Sequence, residues 1–194
     1  MASGEARQRL LDQAIDYVAD HGLTDLSLRA LAAELGTSHR MLIHHFGSKE
    51  GLWVAIIRDV EQRNRAAIID MTRDSPAPLA ETVRSWWRHI SDPSLWPNER
   101  LFFEVYVQAL LGRPPTSELL DGIVDAWLDP AAEMAEAMGV PREEADAFAR
   151  LGVAVTRGLL LDLLATKDRA GVDAAMELWI TLNTHRIDAP SPPD

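Results

Sequence analysis

The chain has no cysteine among its 194 residues. That excludes disulfides, thiol nucleophiles, thiolate metal sites and oxidation sensing through cysteine. It also lacks any run approaching the roughly 20 apolar residues of a membrane span; even Gly158 to Ala165 is interrupted by Asp162. The opening Met-Ala-Ser-Gly-Glu-Ala-Arg has no apolar signal core. These absences lead to the expectation of a cytoplasmic protein with no membrane partner. Positive charge is scarce, with 19 Lys and Arg against 30 Asp and Glu and a net charge of −11, which argues against indiscriminate binding to nucleic acid. Gly-x-Ser-x-Gly, His-Glu-x-x-His and glycine-rich phosphate loops are all missing. The reading is therefore not an enzyme, with an all-α hydrolase or dehydratase using His and Asp or Glu as the weakest alternative.

What is present is helical periodicity. Hydrophobic residues make up 47% of the chain and charged residues 25%, ordinary values for a folded protein. The pattern predicts an all-α protein of about nine helices: a three-helix head over residues 1–47, a larger helical bundle over 48–188, and a disordered Pro-rich tail at 189–194. The head is organised around Ser27 to Lys49. Leu28, Leu31, Ala32 and Leu35 fall at i, i+3, i+4 and i+7, the spacing of a helix with one buried face, and Ser27 is placed to cap it. Gly36 ends that helix and allows a second one, about Ser38 to Phe46, to leave at a steep angle. Leu42 and Phe46 point inward in this second helix. His39, Arg40, Ile43 and His44 are left to project, which makes them candidates for reading a major groove. The same helical pair with a glycine turn also occurs in all-α proteins that bind no DNA.

The electrostatics of the head are not those of a basic patch, since residues 1–50 carry five Lys or Arg and seven acids. Affinity for DNA would need a few placed groups. Thr37 and Ser38 stand where the second helix begins, and their hydroxyls and the free N–H groups suit a phosphate. Arg40 is the candidate for a guanine, because its planar fork can donate to O6 and N7 together. Lys49, in the first turn of the next helix, opposes the helix dipole unless an anion sits there. A histidine zinc site is disfavoured, because the adjacent His44 and His45 do not face one another and His39 has Ile43 at i+4. No metal and no cofactor are expected.

The stretch Leu-Arg-Ala-Leu-Ala-Ala-Glu-Leu-Gly-Thr-Ser-His-Arg-Met-Leu-Ile-His-His-Phe-Gly-Ser-Lys-Glu-Gly-Leu resembles the signature of the tetracycline-repressor (TetR) family of bacterial transcription regulators, above all in His45-Phe46-Gly47-Ser48-Lys49. The resemblance covers roughly residues 6 to 60. It implies that His39, Arg40, Met41 and Ile43 face DNA and that His45 and Lys49 touch its backbone. Two positions depart from the family pattern. Ile43 stands where a tyrosine is usual and loses the hydroxyl that bonds phosphate, and Met41 replaces a small hydroxyl residue.

Beyond the head, helices are expected at about 48–71, 78–91, 99–111, 117–138 (bent near Pro130), 142–166 and 172–185. The 99–111 helix is apolar almost all round, which predicts burial. The last two helices carry wide apolar stripes that need two partners, the chain's own core and a second subunit. A homodimer through Val153, Leu160, Leu164, Met176, Trp179 and Ile180 follows, with a purely intramolecular hairpin as the alternative. By resemblance the body holds a small-molecule effector, with Trp86, Trp87, His89, Phe103, Tyr106, Trp127 and Arg157 as candidate pocket residues; aromatics at this spacing also serve as plain core. The whole reading is a homodimeric DNA-binding regulator, a repressor released from a palindromic double-stranded operator by an apolar or aromatic effector. An α-helical protein-interaction module without DNA binding is the alternative.

Overall fold

The computed structural model describes residues 2–21, 27–73, 79–137 and 139–187. Among these residues there are nine α-helices, two 3₁₀ segments and no strand. The expected tail at 189–194 lies outside them. No helix among the described residues is long and apolar enough to cross a membrane. The chain forms two compact units, Met1–Arg63 with Pro93–Ile123, and Asn64–Asp92 with Val124–Asp194.

The first unit begins with α1 (Ala2–His21), α2 (Leu28–Glu34) and α3 (His39–Phe46), followed by α4 (Lys49–Arg73), which continues into the second unit. Of the apolar positions of α1 that the periodicity selects, Leu11, Ala14, Ile15 and Val18 are buried and Leu10 is half-buried. They are joined in this unit's core by Leu31, Leu42, Phe46, Leu52 and Ile56. A 3₁₀ segment at Pro93–Leu95 leads into α6 (Trp96–Leu110), which packs on α1. Burial of α6 is one-sided: Leu101, Phe102, Val105 and Ala109 are inside, whereas Val107 (52% exposed), Leu110 and Leu111 stand in solvent. That corrects the expectation of a helix buried all round, because apolar composition does not say how many neighbours a helix has.

The predicted 117–138 helix is also two pieces. Thr116–Leu120 is a 3₁₀ turn packed on α6, and α7 starts only at Asp125. Gly122, in the turn between them, has φ +79°, a conformation that costs other residues energy. Pro130 lies inside α7.

The second unit contains α5 (Leu79–Ile90), α7 (Asp125–Ala137), α8 (Arg142–Thr166) and α9 (Arg169–Ile187). α7 and α8 approach through small residues, Ala132 and Ala135 against Ala145 and Ala149, with Val140 at the turn. α9 packs on both α5 and α8. Trp87 of α5 donates its indole N–H to Asp173 of α9 at 2.6 Å, and Arg84 of α5 pairs with Glu177 one turn further along α9.

Candidate nucleic-acid interface

Three serines set the starts of the helices that surround the reading face. Ser27 Oγ accepts the Ala30 N–H at 3.2 Å, Ser38 Oγ the Met41 N–H at 3.1 Å, and Ser48 Oγ the Gly51 N–H at 3.0 Å. Each hydroxyl satisfies one of the N–H groups that a helix start leaves open. Between α2 and α3 the chain turns through a Schellman pair: Thr37 N–H donates to Ala32 C=O at 2.9 Å and Gly36 N–H to Ala33 C=O at 3.2 Å. Gly36, at φ +62°, is the left-handed residue this motif requires.

The exit from α3 is tighter still. Gly47 has φ +77° and ψ −54°, and Ser48 N–H donates back across it to Phe46 C=O at 2.9 Å. This is a three-residue γ-turn of the rare, strained form, and it depends on glycine. The turn delivers Ser48 and Lys49 directly beside the C-terminal end of α3.

The sequence-selected residues of α3 divide as the spacing predicts. Leu42 and Phe46 are buried at 1% and 9% exposure. His39, Arg40, Met41 and His44 are exposed, and Ile43, Thr37 and His45 are half-buried. Met41, although large and apolar, is 41% exposed, so it stands on the outward face with Arg40. His45 behaves differently from its neighbours: its Nε2 is buried with no hydrogen-bond partner, and its ring meets those of His44 and Phe46 edge-on. Lys49 lies with its ammonium 5.8 Å from the centre of the Trp53 ring, a cation–π contact that draws the charge along α4. Arg7 of α1 does the same over Phe46 at 5.0 Å, a contact that spacing along the chain could not reveal. Among the described residues no group of three or more His, Asp or Glu stands where it could hold a metal.

The brace behind the reading pair is ionic. Arg63 of α4 reaches Asp12 of α1 and, at 2.5 Å, Asp59 of its own helix, while Gln8 of α1 donates to both carboxylates at 3.2 Å. Partial burial alone would lower the Arg63 pKa, but its bonds to Asp12 and the charge of Asp59 hold it above the usual arginine value. Beside this brace is a cleft of about 560 Å³ lined by Arg7, Gln8, Phe46, Gly47, Arg58 and Glu118 among others. Arg58 closes one edge by donating to the Glu118 carbonyl at 2.6 Å.

The candidate pocket residues separate between the units. In the second unit Trp86 stands 5.6 Å from Trp127 and 5.8 Å from His89, ring centre to ring centre, and Arg65 lies over Trp127 at 5.7 Å. Trp87 is directed to α9 by its bond to Asp173, so it is a strut between helices. Arg157 is half-buried on α8. Phe103 and Tyr106 belong to the first unit, where Phe103 meets Phe102 edge-on at 5.2 Å and Tyr106 stacks on it at 5.4 Å. A cavity of about 30 Å³ lined by Ile68, Ile69, Trp127, Pro130, Ala131 and Met134 adjoins Trp127.

The proposed dimer residues also divide. Leu160, Met176 and Ile180 are 5%, 2% and 3% exposed within the single chain, so nearly all of their surface is already covered by its own packing. Val153, Leu164 and Trp179 are half-buried, and Trp179 packs on Phe148 with its indole N–H buried and unbonded. The apolar side chains in solvent are Leu151 and Leu161 on α8 and Leu178 and Leu182 on α9. Periodicity finds the stripes on these helices; only packing on α5 and α8 shows which half is already covered.

Residues 10–56 match the family described as bacterial regulatory proteins, tetR family. A curated relative, the HTH-type transcriptional regulator BetI of Escherichia coli, is 28% identical over 75 residues, which is 39% of this chain and 38% of BetI. The match thus spans well under half of that relative's length. A solved transcriptional regulator from Rhodococcus sp. Rha1 superposes with a TM-score of 0.75 at 20% identity, covering 95% of this chain and 98% of its own. The multidrug binding protein EbrR, solved with imidazole, superposes with a TM-score of 0.62 at 27% identity, covering 97% and 93%. The family and all three of these proteins are described as regulators or binding proteins. Residues 10–56 thus carry the N-terminal domain of the tetR family of bacterial regulatory proteins.

Proposed function

We propose that the protein is a cytoplasmic, homodimeric transcriptional regulator, acting as a repressor, whose residues 1–47 read a palindromic double-stranded operator. The observation that carries this reading is α3 itself: a helix anchored by Leu42 and Phe46 and capped by Ser38, with His39, Arg40, Met41 and His44 exposed on the opposite side. A reading helix buries little DNA surface alone, so such modules work in pairs on half-sites about 34 Å apart. The exposed leucines of α8 and α9 are the surface through which a second copy supplies the other head.

The rest of the chain, 48–188, is the effector and dimerisation part in this reading. The Trp86, His89 and Trp127 group supports an aromatic or apolar effector, as does the description of EbrR as a multidrug binding protein. The effector releases DNA by binding unequally to two conformations of the body that differ in the tilt of α4; equal binding would shift nothing. Selection of genomic fragments by the purified protein tests the reading. It predicts enrichment of a short palindrome, and recovery of fragments without any shared sequence would overturn it.

A further inference from the structure

The cleft beside the ionic brace lies wholly within the first unit. Its walls are α1, the turn from α3 into α4, one face of α4 and the Thr116–Leu120 segment, and it measures about 560 Å³. Small-molecule sites span about 300–1,000 Å³. The α4 wall is low because Gly51 and Ala55, one turn apart, carry little or no side chain. Leu11, Phe46 and Val54, all buried, give the cleft an apolar lining.

Two guanidinium groups stand at this lining. That of Arg7 lies over the Phe46 ring at 5.0 Å, and that of Arg58 donates to the Glu118 main-chain carbonyl at 2.6 Å. Phe46 and Glu118 both line the cleft, so the charges themselves are at its walls. Neither guanidinium pairs with a carboxylate among the described residues, whereas Asp12 and Asp59 are already held by Arg63 and Gln8. What remains is two unpaired cations against one acid, Glu118. Arg58 spends one donor on a neutral carbonyl, and the contact of Arg7 with Phe46 involves no oxygen, so both forks keep N–H groups for the two oxygens of a carboxylate.

Inorganic phosphate would answer the charge and leave the apolar lining wet, and a neutral hydrocarbon would do the reverse. A ligand that carries both chemistries answers the whole wall. We propose that the cleft binds a small organic carboxylate with an apolar body, its carboxylate taken by Arg7 and Arg58 and its body laid against Phe46, Leu11 and Val54. Such a ligand bridges α1 and α4, the helices that brace the reading pair. The cleft shares no residue with the Trp86, His89 and Trp127 group of the second unit, so it is a separate site from the effector group.

The test follows amide NMR signals of the full chain during titration with sodium salicylate, with salicylamide as its uncharged counterpart and sodium phosphate as the bare anion. Salicylate should shift the Gly47, Gly51 and Ala55 signals to saturation, and both controls should act on them roughly tenfold more weakly, the loss expected when a charge-assisted bond or the apolar contact is removed. Arg7→Gln and Arg58→Gln should each weaken salicylate by a similar factor. Ala55→Leu, which fills the cleft and leaves both charges in place, should abolish the response and gives an independent answer should an arginine variant misfold. No saturable shift at these three amides, salicylamide or phosphate as effective as salicylate, or binding unchanged in the variants would overturn the site. Shifts confined to the Trp86 and Trp127 indoles would also overturn it, while leaving the effector reading of the second unit intact.

Discussion

The indole N–H of Trp87 and the guanidinium of Arg169 share one carboxylate, that of Asp173. Trp87 donates to Oδ1 at 2.6 Å, and Arg169 Nε reaches Oδ1 and Oδ2 at 3.0 and 2.8 Å while its Nη1 holds the Ser91 carbonyl at 3.0 Å. The last turn of α5 is thereby tied to the first turn of α9. Trp87→Phe keeps most of the buried ring and removes only the donor, so it should cost about 1–2 kcal/mol of stability by urea unfolding. An unchanged midpoint would show that the bond contributes nothing.

The γ-turn at Gly47 places α4 against α3. Gly47→Ala puts a side chain at φ +77°, where backbone strain is about 1–3 kcal/mol. Urea unfolding should show that loss, and DNA affinity should fall with it because the Lys49 end of α4 moves relative to α3. Wild-type stability and affinity together would mean the turn tolerates a Cβ.

The exposed and buried apolar residues of α8 and α9 make opposite predictions. Leu161→Glu with Leu182→Lys should convert a dimer into a monomer in sedimentation at micromolar concentration, with unfolding nearly unchanged, because both residues are already in solvent. Met176→Ala should do the reverse, costing about 2–5 kcal/mol as a core truncation. A monomer in the unaltered protein would remove the dimer from the account.

Acid should loosen the junction of α5 and α9. The hydrogen bond from Arg84 holds the Glu177 carboxyl below its ordinary value of 4.5. A carboxylate with a depressed folded pKa adds stability above its unfolded pKa and loses it as pH falls through the folded one. Stability measured from pH 6 downward should therefore decline more steeply below pH 4.5 in the wild type than in Glu177→Gln. The difference should be small, because both partners are exposed, and identical pH profiles would exclude the contribution.

The reading pair was legible because its signals are local. Ser27, Ser38 and Gly36 act within four residues of themselves, and Leu42 and Phe46 follow helical spacing, so caps, turn and buried face all emerge from a short window. α8, bounded by Pro141 and closed after Thr166, was read to the same ends, 142–166. Failures occurred where tertiary packing decides. The start of α7 was missed because Thr116–Leu120 has helical composition but turns at Gly122. The solvent face of α6 was missed because its apolar residues say nothing of neighbour number. A stripe alone does not reveal that Leu160, Met176 and Ile180 are already buried within the chain, because it says nothing of α9 packing on α5 and α8. His45 looked like a surface histidine, and only its contacts with His44 and Phe46 show Nε2 below the surface.

The central claim is that α3 reads DNA bases while the start of α4 holds the backbone. Anisotropy titration of the selected operator at two salt concentrations, with wild type, Arg40→Ala and Lys49→Ala, tests it most directly. The account predicts that Arg40→Ala relaxes preference at one base position at a cost of about 1–3 kcal/mol, whereas Lys49→Ala weakens all sequences alike and lowers the salt dependence by about one phosphate contact. Affinity that neither substitution alters, or that shows no dependence on salt, would contradict it.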